Sequence, residues 1–146
     1  MQNVIYAVIG VILTVMAMYM VSPSISASSE AVQAGMISTE VGAIKNASKM
    51  WLANSSSDGT FSAITEADIS TLVPDLVQAD SNTTLLSKTS GVKHTIAGGG
   101  TSNDSIVVVI TGMTSQAQTD IVDKNVLKFG TVSGKTASGL TVTIKG

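Results

Sequence analysis

The stretch VIYAVIGVILTVMAMYMV, Val4–Val21, decides how the rest of the chain is organised. It contains 18 residues without a charge, and only Gly10 and Thr14 are not apolar. As a helix it would be about 27 Å long, close to the thickness of the hydrocarbon core of a bilayer. A small water-soluble domain does not normally leave such a surface exposed. We therefore expect lipid, a partner protein or copies of the same segment to bury it.

A cleaved export signal is a weaker interpretation of the same stretch. Signal peptides begin with a positively charged region, whereas the α-amino group is the only charge before Glu30. Ser24-Ile25-Ser26 is only a poor match to a small-residue cleavage site. We therefore favour a segment that stays in the mature protein.

The composition excludes several classes of function. The net charge is −2, and all eight basic residues are lysines that form no cluster in the sequence, which argues against nucleic acid as a ligand. Cysteine is absent, so the chain has neither disulfides nor thiolate chemistry. His94 is the sole histidine and is predicted to be a surface or groove residue. Asp120 and Asp123 lie beside Lys124 on a predicted solvated helix face. We predict no enzymatic activity, no cofactor and no metal.

Small residues recur within the apolar stretch at intervals of three or four, which places them in one stripe of a helix. Such stripes allow two helices to approach closely in membranes. The alternative is that any apolar helix contains alanine and glycine. The stripe consists of Asn3, Ala7, Gly10, Thr14 and Ala17.

Pro23 divides the first third of the chain. Proline lacks a backbone donor and disfavours helix in the preceding residue, so we predict a kink near Pro23. The predicted domains are an apolar helix over 1–28, serving as membrane anchor or filament core, and a globular α+β domain over 29–146.

A second helical pattern runs from Ser29 to about Ala53 with two apolar edges. One edge can be buried in its own domain and the other in a neighbour. Glu40 lies inside the apolar arc and needs a partner there. The first edge is Val32, Met36, Ala43, Ala47 and Met50, and the second is Ile37, Val41, Ile44 and Trp51.

The remainder of the chain predicts short helices and strands. Capping patterns at Thr65 and Ser115 predict helices over Thr65–Val73 and Gln116–Phe129. The β-branched residues of Ser105–Thr111 predict a strand buried on both faces. The other predicted strands are Thr83–Ser87, Val92–Ala97, Thr131–Val132 and Leu140–Lys145. The predicted fold class is α+β, with the long N-terminal apolar helix continuing into an amphipathic helix packed on a small antiparallel β-sheet.

This arrangement resembles the type IV pilins. The initial Met1, the stretch Trp51–Leu72 and the unit IVVVITGMTSQAQTDIVDK, Ile106–Lys124, are similar to the type IVb branch. The resemblance implies a structural subunit of an extracellular type IV-like pilus, or fimbrium, assembled by bundling of the N-terminal helices. It implies a homo-oligomeric helical filament with roles in adhesion, motility or secretion.

The resemblance also implies a route to the filament. The precursor would sit in the inner membrane, be trimmed by a prepilin peptidase and be N-methylated on Met1. The pilus assembly machinery would then move it into the extracellular pilus. The implied filament-core contacts are Asn3, Ile5, Ala7, Gly10, Thr14, Ala17 and Val21, with the helix kink at Pro23.

Two departures from the family leave alternatives open. Most pilins carry glutamate at the fifth mature position, where this chain has Ile5, and many type IVb pilins have a disulfide that this chain lacks. A minor pilin or secretion pseudopilin at a fibre tip fits the missing acid. A single-pass membrane-anchored binding domain is the third interpretation.

Overall fold

The computed structural model describes the chain after its first 28 residues, apart from three short internal gaps. The described residues are 29–54, 59–79, 84–98 and 104–146. The chain divides into two compact units, Met1–Val32 and Gln33–Gly146, and the sheet belongs to the second. The fold class is α+β. The helices are α1 (residues 29–53), α2 (Glu66–Leu72) and α3 (Gln116–Val126), and the strands are β1 (Val77–Gln78), β2 (Leu85–Leu86), β3 (Lys93–Gly98), β4 (Ser105–Thr111), β5 (Thr131–Ser133) and β6 (Gly139–Lys145).

The six strands form one antiparallel sheet in the order β1-β2-β3-β4-β6-β5. Its centre is set by β4, which pairs with β3 on one side and with β6 on the other. Ile106, Val108 and Ile110 of β4 are fully buried, whereas Val107 and Val109 are only half-buried. The prediction that β4 is buried on both faces is therefore wrong. The core covers one face completely, as is common in antiparallel sheets.

Helix α1 contributes one stripe of its surface to the core. Ile37, Val41 and Ile44 are fully buried and belong to the same core as the apolar residues of β4 and β6. On the opposite edge, Met36 and Met50 remain 38% and 55% exposed. Within the described residues, the second predicted edge is therefore covered, whereas the first is covered only in part, with Ala47 buried.

The capping residues Thr65 and Ser115 explain where α2 and α3 begin. Thr65 caps α2 in a closed capping box, in which its backbone N–H donates to Asp68 Oδ2 at 2.9 Å. At α3, Ser115 Oγ accepts from the Gln118 N–H at 3.1 Å. The Gln118 side chain does not close the box, because its Oε1 accepts from the Thr114 N–H at 2.8 Å instead. Both helices nevertheless begin where the capping residues predict.

The predicted fold is wrong about the long apolar helix, since none is found among the described residues. The first helix that the structure describes is α1. Glu30, Glu40, Lys45 and Lys49 all lie in α1, which makes it amphipathic. Among the described residues, no helix combines the length and the apolar composition that crossing a membrane requires.

Candidate functional site

The outer face of α1 is defined here as Met36, Thr39, Ala43, Asn46 and Met50. These residues recur at alternating intervals of three and four and carry no charge. An average spacing of 3.5 residues is typical of a helix that packs along another helix. Thr39 Oγ1 donates to the Gly35 carbonyl at 2.9 Å, so its hydroxyl already has a partner within the helix. The outer face is therefore suited to a second packing contact.

A groove runs between α1 and the C-terminal end of α3. It has a volume of about 560 Å³. Gly42 shapes it, because a Cβ at this position would lie 2.9 Å from Cζ of Phe129. Without a side chain at Gly42, the phenyl ring packs directly on the helix backbone. The lining residues are Gly35, Ser38, Thr39, Gly42, Ala43, Asn46, Asn125, Lys128 and Phe129.

Two lysines lie close to Phe129, the aromatic side chain that lines this groove. Lys45 Nζ donates to the Phe129 carbonyl at 3.1 Å and lies 5.9 Å from the centre of its ring. Lys128 Nζ lies 4.9 Å from the same ring, within the range of a cation–π contact. No acidic side chain lines the groove. Within the described part of the chain, neither Lys45 nor Lys128 forms an ion pair, so the rim of the groove is basic.

A buried polar cluster lies on the other flank of α1. The carboxylate of Glu40 accepts hydrogen bonds from Ser87 Oγ at 2.6 Å, the Lys88 N–H at 2.8 Å and His94 Nε2 at 2.8 Å. A carboxylate only accepts, so His94 donates through Nε2. Burial alone would raise the pKa of Glu40, but the hydrogen bonds from His94, Ser87 and Lys88 outweigh it and hold the pKa below its ordinary value.

The prediction that His94 is a surface or groove residue is wrong, whereas Glu40 has the partners that its place in the apolar arc requires. His94 is 0% exposed, so it is neither a surface nor a groove residue. The signal was present in the alternation of β3, since Val92, His94 and Ile96 share the buried face. In the described ranges, no three acidic or histidine side chains are placed to hold a metal ion. The cluster is suited to fixing α1 against the sheet rather than to catalysis.

The remaining predicted residues fall in two groups. Asp120 and Asp123 both form ion pairs with Lys135, at 2.9 and 2.7 Å, and so connect α3 to the segment before β6. The processing residue Met1 and the kink at Pro23 lie outside the described residues. The same is true of all the predicted filament-core contacts, which are Asn3, Ile5, Ala7, Gly10, Thr14, Ala17 and Val21.

Comparison with known proteins adds no relative. No protein-family model matches the sequence, and no curated protein and no solved structure matches it significantly.

Proposed function

We propose that this protein is the structural subunit of an extracellular type IV-like pilus, assembled from many copies of the same chain. The observation that carries the proposal is the exposed, uncharged outer face of α1 on an otherwise well-packed domain. The apolar segment Val4–Val21 of the same chain supports it. Copies of the chain cover the outer face of α1 and the apolar segment.

The energetics favour repeated contacts over a single strong one. Fully burying a methionine side chain contributes roughly 1.5–3 kcal/mol, and Met36 and Met50 are already partly covered. The gain per contact is therefore modest. A filament multiplies it, because each subunit touches several neighbours and every contact is repeated along the fibre.

The proposal includes the route by which the subunit reaches the filament. The precursor is held in the inner membrane through Val4–Val21 and trimmed by a prepilin peptidase, and Met1 is then N-methylated. The assembly machinery transfers it to the cell surface, where the apolar segments of neighbouring subunits bury one another. Adhesion, motility and secretion are the roles that such fibres serve.

A charge placed on the outer face tests the proposal. Ala43→Glu puts a carboxylate into the contact, whereas Ala117→Glu makes the same change at an exposed position of α3, outside that face. Full-length protein is diluted out of detergent, and filaments are collected by sedimentation and imaged by negative-stain electron microscopy. We expect Ala43→Glu to lose filaments and Ala117→Glu to keep them. Equal assembly of the two variants would rule out the outer face as the contact.

A minor pilin or pseudopilin at a fibre tip is the second candidate, because the sequence has no acidic residue before Glu30. A tip subunit meets no further subunit above it and needs no acid to neutralise a neighbouring amine. Its copy number distinguishes the two: a tip protein is present about once per fibre, and a major subunit forms the whole shaft.

A further inference from the structure

The apolar surface of the outer face of α1 comes mainly from two methionines. Met36 and Met50 are the first and last residues of this face, and they are 38% and 55% exposed. The three residues between them, Thr39, Ala43 and Asn46, are small or polar. At 1.5 Å per residue the two methionines lie about 21 Å apart along the helix axis. Their thioether side chains therefore occupy both ends of the proposed contact.

The third methionine of the described residues has a different environment. Met113 is 3% exposed, and its Sδ accepts a hydrogen bond from Thr119 Oγ1 at 3.8 Å. An oxidant in solution must reach the sulfur before it can react with it. Within the part of the chain that the structure describes, the two accessible methionines are therefore the two on the outer face.

We propose that the outer face of α1 is an oxidation site, at which hydrogen peroxide converts Met36 and Met50 of the unassembled subunit to sulfoxides and so keeps the subunit out of the filament. This step rests on the proposed function and names a regulation of its contact. The sulfur forms a bond to one peroxide oxygen as the O–O bond breaks. The sulfur loses two electrons, the rest of the peroxide leaves as water, and no net proton is released or taken up.

A sulfoxide is poorly tolerated in this contact because its oxygen needs a hydrogen-bond donor. Oxidation turns a flexible apolar side chain into a polar one, and burying a polar group without a partner is costly. Thr39 lies one turn from Met36, but its hydroxyl already donates to the Gly35 carbonyl. Asn46 lies one turn before Met50, too far along the helix to reach Met36. The outer face therefore offers no donor side chain to a sulfoxide at Met36.

Assembly and oxidation exclude each other at this surface. In the filament a neighbouring copy covers both methionines, so the peroxide acts on subunits that have not yet assembled. Methionine sulfoxide reductases return the sulfoxide to the thioether, which makes the block reversible. The supply of subunits that can assemble therefore depends on the oxidising conditions around them, whereas finished filaments persist.

Partial oxidation of full-length wild-type protein tests the inference without a substitution. Protein in detergent is treated with hydrogen peroxide, catalase removes the excess, and dilution of the detergent starts assembly. Cleavage after glutamate places Met36, Met50 and Met113 on the separate peptides 31–40, 41–66 and 67–146, whose sulfoxide content mass spectrometry measures. We expect the sulfoxides of Met36 and Met50 to be at least about fivefold scarcer in sedimented filaments than in the supernatant. Equal sulfoxide content of the two fractions overturns the inference.

A matched pair of variants gives a second measurement. Met36→Leu/Met50→Leu removes both sulfurs at similar side-chain volume, and Met113→Leu is the control. The quantity measured is the lowest protein concentration at which filaments sediment, before and after full peroxide treatment. We expect treatment to raise it at least about tenfold for wild type and Met113→Leu, and by less than about twofold for the double variant. The double variant keeps the methionines that precede Glu30, so a double variant as sensitive as wild type overturns the inference.

The remaining outcomes separate this inference from the proposed function. Untreated wild-type protein that never assembles overturns the proposed function, and this inference with it. Oxidised wild-type protein that assembles as readily as untreated protein overturns the inference alone. Trp51 fluorescence reports folding, and loss of its native signal together with the filaments would assign the effect to unfolding and also overturn it. If the double variant does not assemble before treatment, the sulfoxide content of the wild-type fractions decides.

Discussion

Glu40 on α1 accepts a hydrogen bond from His94 on β3 at 2.8 Å, and the two residues are 54 positions apart in the sequence. Both are buried, with 8% and 0% of their surfaces exposed. Removing one partner of such a pair leaves the other without compensation in the interior, which is far more costly than losing an exposed pair. The contact therefore fixes the position of α1 on the sheet and, with it, the direction in which the outer face points.

Glu40→Gln is expected to lower the free energy of unfolding by about 2 kcal/mol, because three hydrogen bonds lose their charged acceptor. Urea unfolding of the full chain in mild detergent measures this change, with the single tryptophan, Trp51, as the fluorescent probe. Glu30→Gln removes the same charge at the start of α1 and should change stability by less than about 0.5 kcal/mol. Equal effects of the two substitutions would contradict the role given to Glu40.

The pH dependence of stability follows from the lowered pKa of Glu40. A carboxyl group whose pKa is lower in the folded state stabilises the fold at pH values above its unfolded-state pKa. This stabilisation is lost as the pH falls through the folded-state pKa. The difference in stability between wild type and Glu40→Gln should therefore be constant above the ordinary value of 4.5 and shrink below it. Urea titrations at successive pH values measure it. A stability difference between the two proteins that stays constant below pH 4.5 would argue against a charged Glu40 in the folded state.

Two glycines should respond in opposite directions to alanine. Gly35 lies inside α1, and a Cβ there would have no atom within 4 Å, so Gly35→Ala should stabilise the domain by about 1 kcal/mol. A Cβ on Gly98 would collide with the backbone carbonyl of Phe61, so Gly98→Ala should destabilise it by about 2–3 kcal/mol. Thermal unfolding of the two variants gives the comparison. A destabilised Gly35→Ala variant would mean that the groove beside Gly35 has no room for a methyl group.

Assembly should protect the outer face of α1 from a solvent-borne reagent. The chain has no cysteine, so Met36→Cys introduces a single thiol. We expect this thiol to be alkylated rapidly in detergent-dispersed monomer and at least about tenfold more slowly in filaments, because the face is covered by a neighbour. Ser90→Cys, at an exposed turn, serves as the control and should react at similar rates in both states. Unchanged reactivity of Met36→Cys on assembly would place the contact elsewhere.

Features that depend on neighbouring residues could be predicted from the sequence. Helix α1 follows from a repeated pattern over 29–53, and α2 begins at the capping residue Thr65. Strand β4 spans Ser105–Thr111 as predicted, because its β-branched residues mark it locally. These signals need no knowledge of the tertiary structure.

Features that depend on distant residues could not be predicted. The two-residue strand β1 exists through its pairing with β2 and has no periodicity of its own. The contact between Glu40 and His94 joins segments that no local pattern relates. The groove depends on Phe129 packing on Gly42, which is a tertiary contact between α1 and the end of α3. Hydrophobicity alone led to the prediction of a long apolar helix, and no such helix is present among the described residues.

Negative-stain electron microscopy of purified full-length protein, imaged before and after detergent removal, gives the sharpest test of filament assembly. We expect dispersed single molecules in detergent and unbranched filaments of uniform width after its removal. Single molecules that remain bound to lipid or detergent under every condition, with no regular contact between copies, would contradict it.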